Sequence, residues 1–460
     1  MQIGRKDVAW NFAATSMRIA YGVFVLPFSL RLLTSQDIGL WNIFLTIGAF
    51  STILDFGFSN AFSRNITYVF SGVKELKKEG YVPVNTEDTS IDYGLLKTLI
   101  ATMKRYYAIL ALGFLVLFLL IGTLYIHSIL KKYTGNTTTV LIAWVLYGIL
   151  VAYQLYTYYY ASLLTGRGYI LRSNQIIIIG QCIQIVIIIV CLFLGFGILS
   201  MVVGLLLSNI ITRILSYQAF YDKIIKQEFR TAIIKPVKEI MRVLTPNALK
   251  IGFVSLGAFI IVRSSMMIAP LYLSLSDIAS FGTTQTVINL ISSLSGVWFA
   301  TYYPKLTQYR VTSDTWGVKR LYIKGNLFLI AGFGILGTLF VIAGPFALHL
   351  IKSQTHFLPA FMIIALLTFT CLGNIQGNST NLITTKNEVP FFKSYLITGG
   401  ITLIFLLLGL QYTSLGIWTM ILSPGIAQLM YTNWKWPYMV IKEQTIRWKD
   451  IKTIVLSLQK

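Results

Sequence analysis

The sequence predicts an all-α polytopic membrane protein with twelve transmembrane helices in two sets of six. Three observations carry this. The 460 residues are 55% hydrophobic and only 12% charged, whereas soluble domains are roughly 25% charged. Apolar runs of about 20 residues, the length that crosses a hydrocarbon core, recur along the whole chain. Lysine and arginine alternate between the two sides of these runs, 31 on one side and 3 on the other, with four inside spans. That asymmetry is the positive-inside pattern of cytoplasmic loops.

The first set of spans covers 10–33, 37–60, 104–127, 140–164, 174–195 and 198–220. The second covers 247–272, 277–303, 325–350, 357–381, 394–411 and 415–440. An even number of spans with basic loops on one side places both termini in the cytoplasm. The net charge of +22 then faces anionic lipid headgroups and not nucleic acid. The first span is too long for a signal-peptide core, and no small-residue cleavage pattern follows it. After the second span, "SGVKELKKEGYVPVNTEDTSIDYGLLK" starts Lys-rich against the membrane and continues as an exposed loop. The domain reading is a bundle over 1–220, an amphipathic cytoplasmic linker over 221–246, a second bundle over 247–440 and an amphipathic tail over 441–460. In the tail, Trp448, Ile451, Val455 and Leu458 recur every three or four residues, as on a surface helix.

Chemistry of catalysis is missing from the pattern. Cys182, Cys191 and Cys371 fall in spans and form neither a disulfide framework nor a zinc spacing. His127, His349 and His356 lie at the outer ends of spans. There is no phosphate-binding loop and no nucleophile–base pairing. The expectation is a transporter, with no catalytic residue, no metal and no cofactor.

The halves repeat. At an offset of 240, Asp37-Ile38 meets Asp277-Ile278, Thr46-Ile47 meets Thr286-Val287, Phe62 meets Tyr302, and Ile66-Thr67 meets Leu306-Thr307. "LLTGRG" from Leu163 to Gly168 is echoed by "LITTKN" from Leu382 to Asn387. This is a parallel duplication, and transporters commonly place the substrate path at such a repeat interface.

The stretches "LRLLTSQDIGLWNIFLTIGAF" (Leu30 to Phe50), "DFGFSNAFSRNITYVFSG" (Asp55 to Gly72) and "LLTGRGYILRSNQ" (Leu163 to Gln175) resemble the MOP flippase superfamily, specifically its polysaccharide-transporter or Wzx-type branch. The likeness spans the chain. It implies two pseudo-symmetric six-helix bundles (MATE/MOP-like) around a central basic cavity lined by the first and seventh helices. It also implies flipping of undecaprenyl-diphosphate-linked oligosaccharides from the inner to the outer leaflet, by rocking of the bundles. Related lipid II flippases usually have fourteen spans, which argues against that branch.

Arg18 and Arg263 sit near the centres of the first and seventh spans. A charge there costs roughly 2.5–3.5 kcal/mol on insertion scales. Facing a water-filled cavity relieves that cost, and guanidinium forks suit a diphosphate. A packing ion pair or carbonyl contact is the alternative. Arg31 near the outer end of the first span can snorkel and is a further substrate candidate. Arg213, near the inner end of the sixth span, reads as unremarkable. Pro27 and Pro270 kink or break their helices, as hinges or as static bends. Asp55, with Asn60 and Arg64 beyond it, suits an inner gate, with a coupling-ion carboxylate as the other reading. Asp55 and Arg64 are nine apart and point to opposite faces of a continuous helix. Asn11 and Asn247 open their spans as N-caps or as sugar contacts. Tyr153, Tyr156 and Tyr160 share a helical face, for sugars or for the membrane interface. "CLGNIQGNSTN" holds Asn374, Gln376, Asn378 and Asn381, a wet, glycan-facing surface.

The function that follows is a flippase for lipid-linked repeat units of surface polysaccharide (O-antigen, capsule or exopolysaccharide) in the bacterial cytoplasmic membrane. Its partners are the undecaprenyl-diphosphate-linked glycan, membrane lipids and polysaccharide polymerase machinery, with the chain acting as a monomer. A MATE-type multidrug or cation antiporter is the main alternative; it calls for acidic residues inside spans, where only Asp55 is a candidate. A membrane glycan polymerase calls for a large outer loop, whereas the longest here is about a dozen residues, His127 to Thr139.

Overall fold

The structure is a computed structural model that describes residues 5–76, 90–234, 237–386 and 390–456. Within these helices the side chains of 5–9, 11–16, 18–19, 60, 237–251, 304 and 311 lie outside the description. The helices are α1 Arg5–Leu32, α2 Ser35–Ile53, α3 Phe58–Phe70, α4 Tyr93–Leu117, α5 Thr123–Leu130, α6 Thr137–Tyr156, α7 Tyr159–Gly166, α8 Ile170–Phe193 and α9 Leu199–Phe220. They continue as α10 Lys223–Thr231, α11 Val237–Ile268, α12 Leu275–Val311, α13 Thr315–Leu350, α14 Ala360–Thr384, α15 Phe392–Tyr412, α16 Ile417–Met430, α17 Thr432–Glu443 and α18 Trp448–Leu456. No strand occurs among the described residues.

Eight helical stretches among the described residues are long and apolar enough to cross a membrane: Tyr93–Leu130, Thr137–Gly166, Ile170–Phe193, Leu199–Phe220, Gly252–Leu271, Thr315–Leu350, Ala360–Thr384 and Phe392–Tyr412. Each coincides with a predicted span. The other four predicted spans are helical as well. Of the first, Ala20–Leu32 is an apolar helix among the described residues. The second breaks between α2 and α3, and the twelfth breaks at Tyr431 between α16 and α17. The eighth lies in α12, whose apolar character is diluted by Thr283, Thr284, Gln285, Thr286, Asn289 and five serines. Outward-facing side chains are apolar, as lipid requires: Leu124 is 72% exposed and Ile342 73%.

The chain divides into two compact units. Unit 1 comprises Met1–Leu33 and Ile43–Ser255, and unit 2 comprises Thr34–Asn42 and Leu256–Lys460. In unit 1, α8 and α9 approach through small residues. Gly180 faces Thr212 and Ser208, and Ser208 Oγ donates to the Gly180 carbonyl at 2.7 Å. Such residues let helices pack where lipid supplies no hydrophobic drive. Between α4 and α5 the helix widens into a π turn, Phe118–Gly122. Phe118 stacks on Trp144 at 3.9 Å, in space left by Gly122 and Gly148.

In unit 2, the first residues of α2 pack on α12. Gly39 lies against Leu275 and Ala279, and Gly282 against Asn42. Both helices start with the same cap. Thr34 Oγ1 accepts from the Asp37 amide (3.1 Å) and donates to its carboxylate (2.7 Å). Ser274 Oγ does the same with Asp277, at 3.1 and 2.7 Å. The two caps are 240 residues apart, the offset read from the sequence.

Helix boundaries differ from the hydropathy boundaries. α1 and α11 begin at Arg5 and Val237, so Asn11 and Asn247 are interior to helices and do not cap them. A helix continues past the apolar segment wherever its backbone can still be satisfied. For the same reason residues 237–246 of the expected linker belong to α11, and only Lys223–Thr231 form a separate helix, with Ile225 buried. α1 runs through Pro27. α11 stops at Ile268, and Pro270 lies buried in a single 3-10 turn, Ala269–Leu271.

Candidate functional site

In unit 2, side chains from α11, α12, α14 and α16 line a pocket of about 300 Å³. Its polar wall comes mainly from α12, where Gln285, Asn289 and Ser292 follow at spacings of four and three and so share one face. Asn374 on α14 and Gln428 on α16 complete it, with Phe281 and Phe369 as aromatic surface. Gly425 lets α16 close on the Phe369 ring.

Neutral partners hold these amides without exhausting them. Ser292 Oγ donates to Asn374 Oδ1 at 3.0 Å, and Asn374 Nδ2 donates to the Thr370 carbonyl at 2.8 Å. Gln285 Nε2 donates to Asn289 Oδ1 at 3.2 Å, and Gln428 Nε2 to the Pro424 carbonyl at 3.1 Å. A carboxamide has two donor hydrogens and two acceptor lone pairs, so Gln285, Asn289 and Gln428 keep capacity toward the pocket. Among the described residues no Asp, Glu, Lys or Arg lines it. This surface suits a neutral hydroxylated group and offers a cation no charge.

Unit 1 has a different polar centre. Between α2 and α3 the chain turns through Phe56 (φ 48°) and Gly57 (φ 77°), a conformation glycine takes freely and phenylalanine does not. Asp55 is buried in this turn. It accepts from the Ser59 amide (3.1 Å), the Ser59 hydroxyl (2.7 Å) and the Tyr107 hydroxyl (2.5 Å). The carboxylate therefore ties the first turn of α3 to α4. Tyr158 packs edge-on against Tyr107 at 6.0 Å and lies in the field of both Asp55 and Arg213. Arg213 Nε is buried with no hydrogen-bond partner, and Tyr153, Tyr160, Tyr159 and Tyr158 are the groups around it.

The sequence-predicted residues distribute as follows. The side chains of Arg18, Asn11, Asn247 and Asn60 lie outside the described residues. Arg263 is half-buried on α11, whereas Arg31 and Arg64 are exposed. Asp55 and Arg64 are not on one continuous helix, because the turn at 54–57 intervenes. Nor do Tyr153, Tyr156 and Tyr160 belong to one unbroken helix: α6 ends at Tyr156 and Tyr160 belongs to α7. Tyr156 is exposed, and Tyr160 is buried and stacked on Tyr159 at 4.5 Å. Asn374 lines the unit 2 pocket. Asn378 does not; its Nδ2 donates to Asn326 Oδ1 at 3.0 Å in the interior. Gln376 donates to the Tyr395 hydroxyl at 2.9 Å. The sequence reading passed over Gln285, Asn289, Ser292, Gln428 and Arg213. The spacing of the first three on one helical face was the signal for them.

Each unit also holds an ion pair between residues that follow or end its helices. In unit 1, Arg167 after α7 pairs with Asp222 after α9 at 2.5 Å, donates to the Phe220 carbonyl at 2.8 Å, and covers the Tyr169 ring at 4.5 Å. In unit 2, Lys386 after α14 pairs with Glu443 at the end of α17 at 2.7 Å, and Arg310 joins the same carboxylate. Lys319 Nζ lies 3.6 Å from Asp450 on α18. Desolvation pushes the Asp222 carboxyl up, but the Ile225 amide and Arg167 outweigh it and hold it below its ordinary value. Desolvation acts likewise on Glu443 and is outweighed by Lys386 and Arg310. Among the described residues no group of three His, Cys, Asp or Glu could hold a metal ion.

No family model matches the sequence, and no curated protein matches it. Solved structures do match. One is the inward-facing conformation of a multidrug resistance MATE family transporter of the MOP superfamily, at 16% identity and TM-score 0.64, with 94% of this chain and 95% of that chain covered. Another is the lipid II flippase MurJ in an inward closed conformation, at 14% identity and TM-score 0.63, with 98% of this chain and 90% of that chain covered. Apolar spans, helix order and these likenesses agree: this is a multi-pass membrane protein with the fold of those two solved structures.

Proposed function

We propose that the chain is a flippase that carries undecaprenyl-diphosphate-linked oligosaccharide repeat units across the bacterial cytoplasmic membrane by alternating access. The fold fits an exporter and a flippase equally. The observation that favours the flippase is the unit 2 pocket, where amides and a serine stand among aromatic and aliphatic side chains and no charged group is found among the described lining residues. Its volume is at the lower end of the about 300–1,000 Å³ typical of small-molecule sites, enough for one sugar unit. In this reading Arg18 and Arg263 hold the diphosphate, both termini are cytoplasmic, and the chain hydrolyses no ATP.

The test is binding of the lipid-linked glycan to purified protein. Asn289→Leu together with Gln428→Leu should weaken it about tenfold, since each lost hydrogen bond is worth about 0.5–1.5 kcal/mol. Arg263→Ala should weaken binding of the bare diphosphate lipid, while the double pocket variant should not. Full glycan binding by the double variant would move the sugar elsewhere.

A second reading, a cation antiporter, is favoured by one feature, the buried carboxylate of Asp55 in unit 1. Dye efflux that disappears in Asp55→Asn, with no binding of the lipid-linked glycan, selects it.

A further inference from the structure

Arg213 sits on α9, a helix long and apolar enough to cross a membrane, seven residues before its end at Phe220. At about 1.5 Å per residue this is about 10 Å into the helix. Among the described residues it forms no ion pair and lies over no aromatic ring face, and its Nε is buried without a partner. A cation so placed needs compensation. Asp55 forms no ion pair with it among the described residues; its oxygens accept from Ser59 and Tyr107.

Tyrosines are its electrostatic neighbours instead. Tyr153, Tyr160, Tyr159 and Tyr158 lie on α6, α7 and the turn between them, and α9 packs on both helices. A second cation shares the cluster. Lys104 Nζ on α4 is 5.9 Å from the centre of the Tyr159 ring and 6.0 Å from that of Tyr221, with no carboxylate partner among the described residues. The nearby Asp222 is occupied by Arg167. Tyr156 and Tyr217, at 38% and 44% exposed, bring the cluster to the surface of unit 1.

We infer that Arg213 and Lys104, with the tyrosines of α6 and α7, form a binding site for a phosphate group. A phosphate presents several oxygens to a guanidinium fork, an ammonium and phenolic hydroxyls at once. It also provides the negative charge that the cluster lacks. The phosphate belongs either to an anionic phospholipid headgroup or to free phosphate, and the chemistry of recognition is the same. The site stands apart from the unit 2 pocket and from the identity of any transported substrate.

The experiment uses the full chain in nanodiscs. In phosphatidylcholine discs, inorganic phosphate is titrated and thermal unfolding followed. In discs containing phosphatidylglycerol, native mass spectrometry counts retained anionic lipid. Arg213→Gln and Lys104→Gln should each weaken binding about tenfold, the loss expected for one charge-assisted contact, and Arg213→Lys should restore part of it. Stabilisation by phosphate in phosphatidylcholine assigns free phosphate; retained phosphatidylglycerol without that stabilisation assigns the headgroup. Retention of neither by the wild-type chain overturns the inference, as does binding within twofold of wild type in folded Arg213→Gln. If that variant does not fold, Tyr153→Phe and Lys104→Gln decide: weaker binding in both supports the site, and unchanged binding in both removes it.

Discussion

In unit 1 the polar centre is Asp55 beneath Tyr107, with Arg213 and Lys104 among the tyrosines of α6 and α7. In unit 2 it is Gln285, Asn289, Asn374 and Gln428, without a formal charge. Yet a basic residue following α7 or α14 meets a carboxylate at the end of α9 or α17 in both. Arg167 in "LLTGRG" and Lys386 in "LITTKN" occupy the same place in the two halves. A partly exposed pair needs only opposite charge, so Arg–Asp and Lys–Glu serve alike there. In the interior each polar group needs specific partners, and the two halves have filled that space with unrelated chemistry. The likeness between the halves persists where the constraint is loose and is lost where the constraint is tight.

The contrast breaks most visibly at Asp55. Asp55→Leu leaves the Tyr107 hydroxyl and both Ser59 donors without their acceptor, at about 1–3 kcal/mol each. It should destabilise by about 3 kcal/mol or more, seen as an early thermal unfolding midpoint of purified protein. Asn374→Leu in unit 2 strands only the Ser292 hydroxyl, and should cost about 1 kcal/mol. Comparable losses from the two would erase the distinction between a structural carboxylate and a ligand-facing amide.

The ion pairs come next. Arg167→Ala removes a pair, a carbonyl contact and a ring contact together, and should cost about 2 kcal/mol. Glu443→Gln removes one charge from a partly exposed cluster but keeps an oxygen that accepts from Lys386 or Arg310, and should cost under about 1 kcal/mol. Equal thermal shifts from the two would show that the Phe220 carbonyl and the Tyr169 ring add nothing.

The smallest effect is that of pH. The folded-state values of Asp222 and Glu443 are depressed. Their contributions are therefore fully present above the ordinary carboxylate range of about 4 and are lost as pH falls through the lowered values. Thermal midpoints measured from pH 6 to pH 3 should fall at the acid end, and less steeply in Arg167→Ala combined with Glu443→Gln. Parallel slopes in wild type and variant would place the acid sensitivity elsewhere.

Composition and the charge count made the helical membrane fold legible, and every apolar segment fell on helix. The breaks were not legible. A hydropathy window reads the stretch through Asp55, Phe56 and Gly57 as one span, because the turn depends on two residues with positive φ and on a carboxylate whose donors come from Ser59 and a distant Tyr107. The break between α6 and α7 was not legible either. Of the polar residues singled out in α14, Asn374 reached the pocket and Asn378 paired internally, a difference of about 40° around the helix axis that the sequence alone does not orient. Arg213 looked ordinary because its depth was all that could be read. Its lack of a counter-charge emerges only when α4, α6, α7 and α9 are brought together.

The π turn at Phe118–Gly122 bears on how this chain tolerates insertions and deletions. Such a turn absorbs one surplus residue while the helix on either side stays in phase. Removing Leu120, which is 63% exposed, would let a regular helix form there, with Ile126, Ile129 and Leu130 still directed inward. Removing a residue one turn or more away would instead rotate everything beyond it by about 100° and bring those side chains out of the interior. The widened turn is thus where this helix can change length by one residue without changing which face it buries.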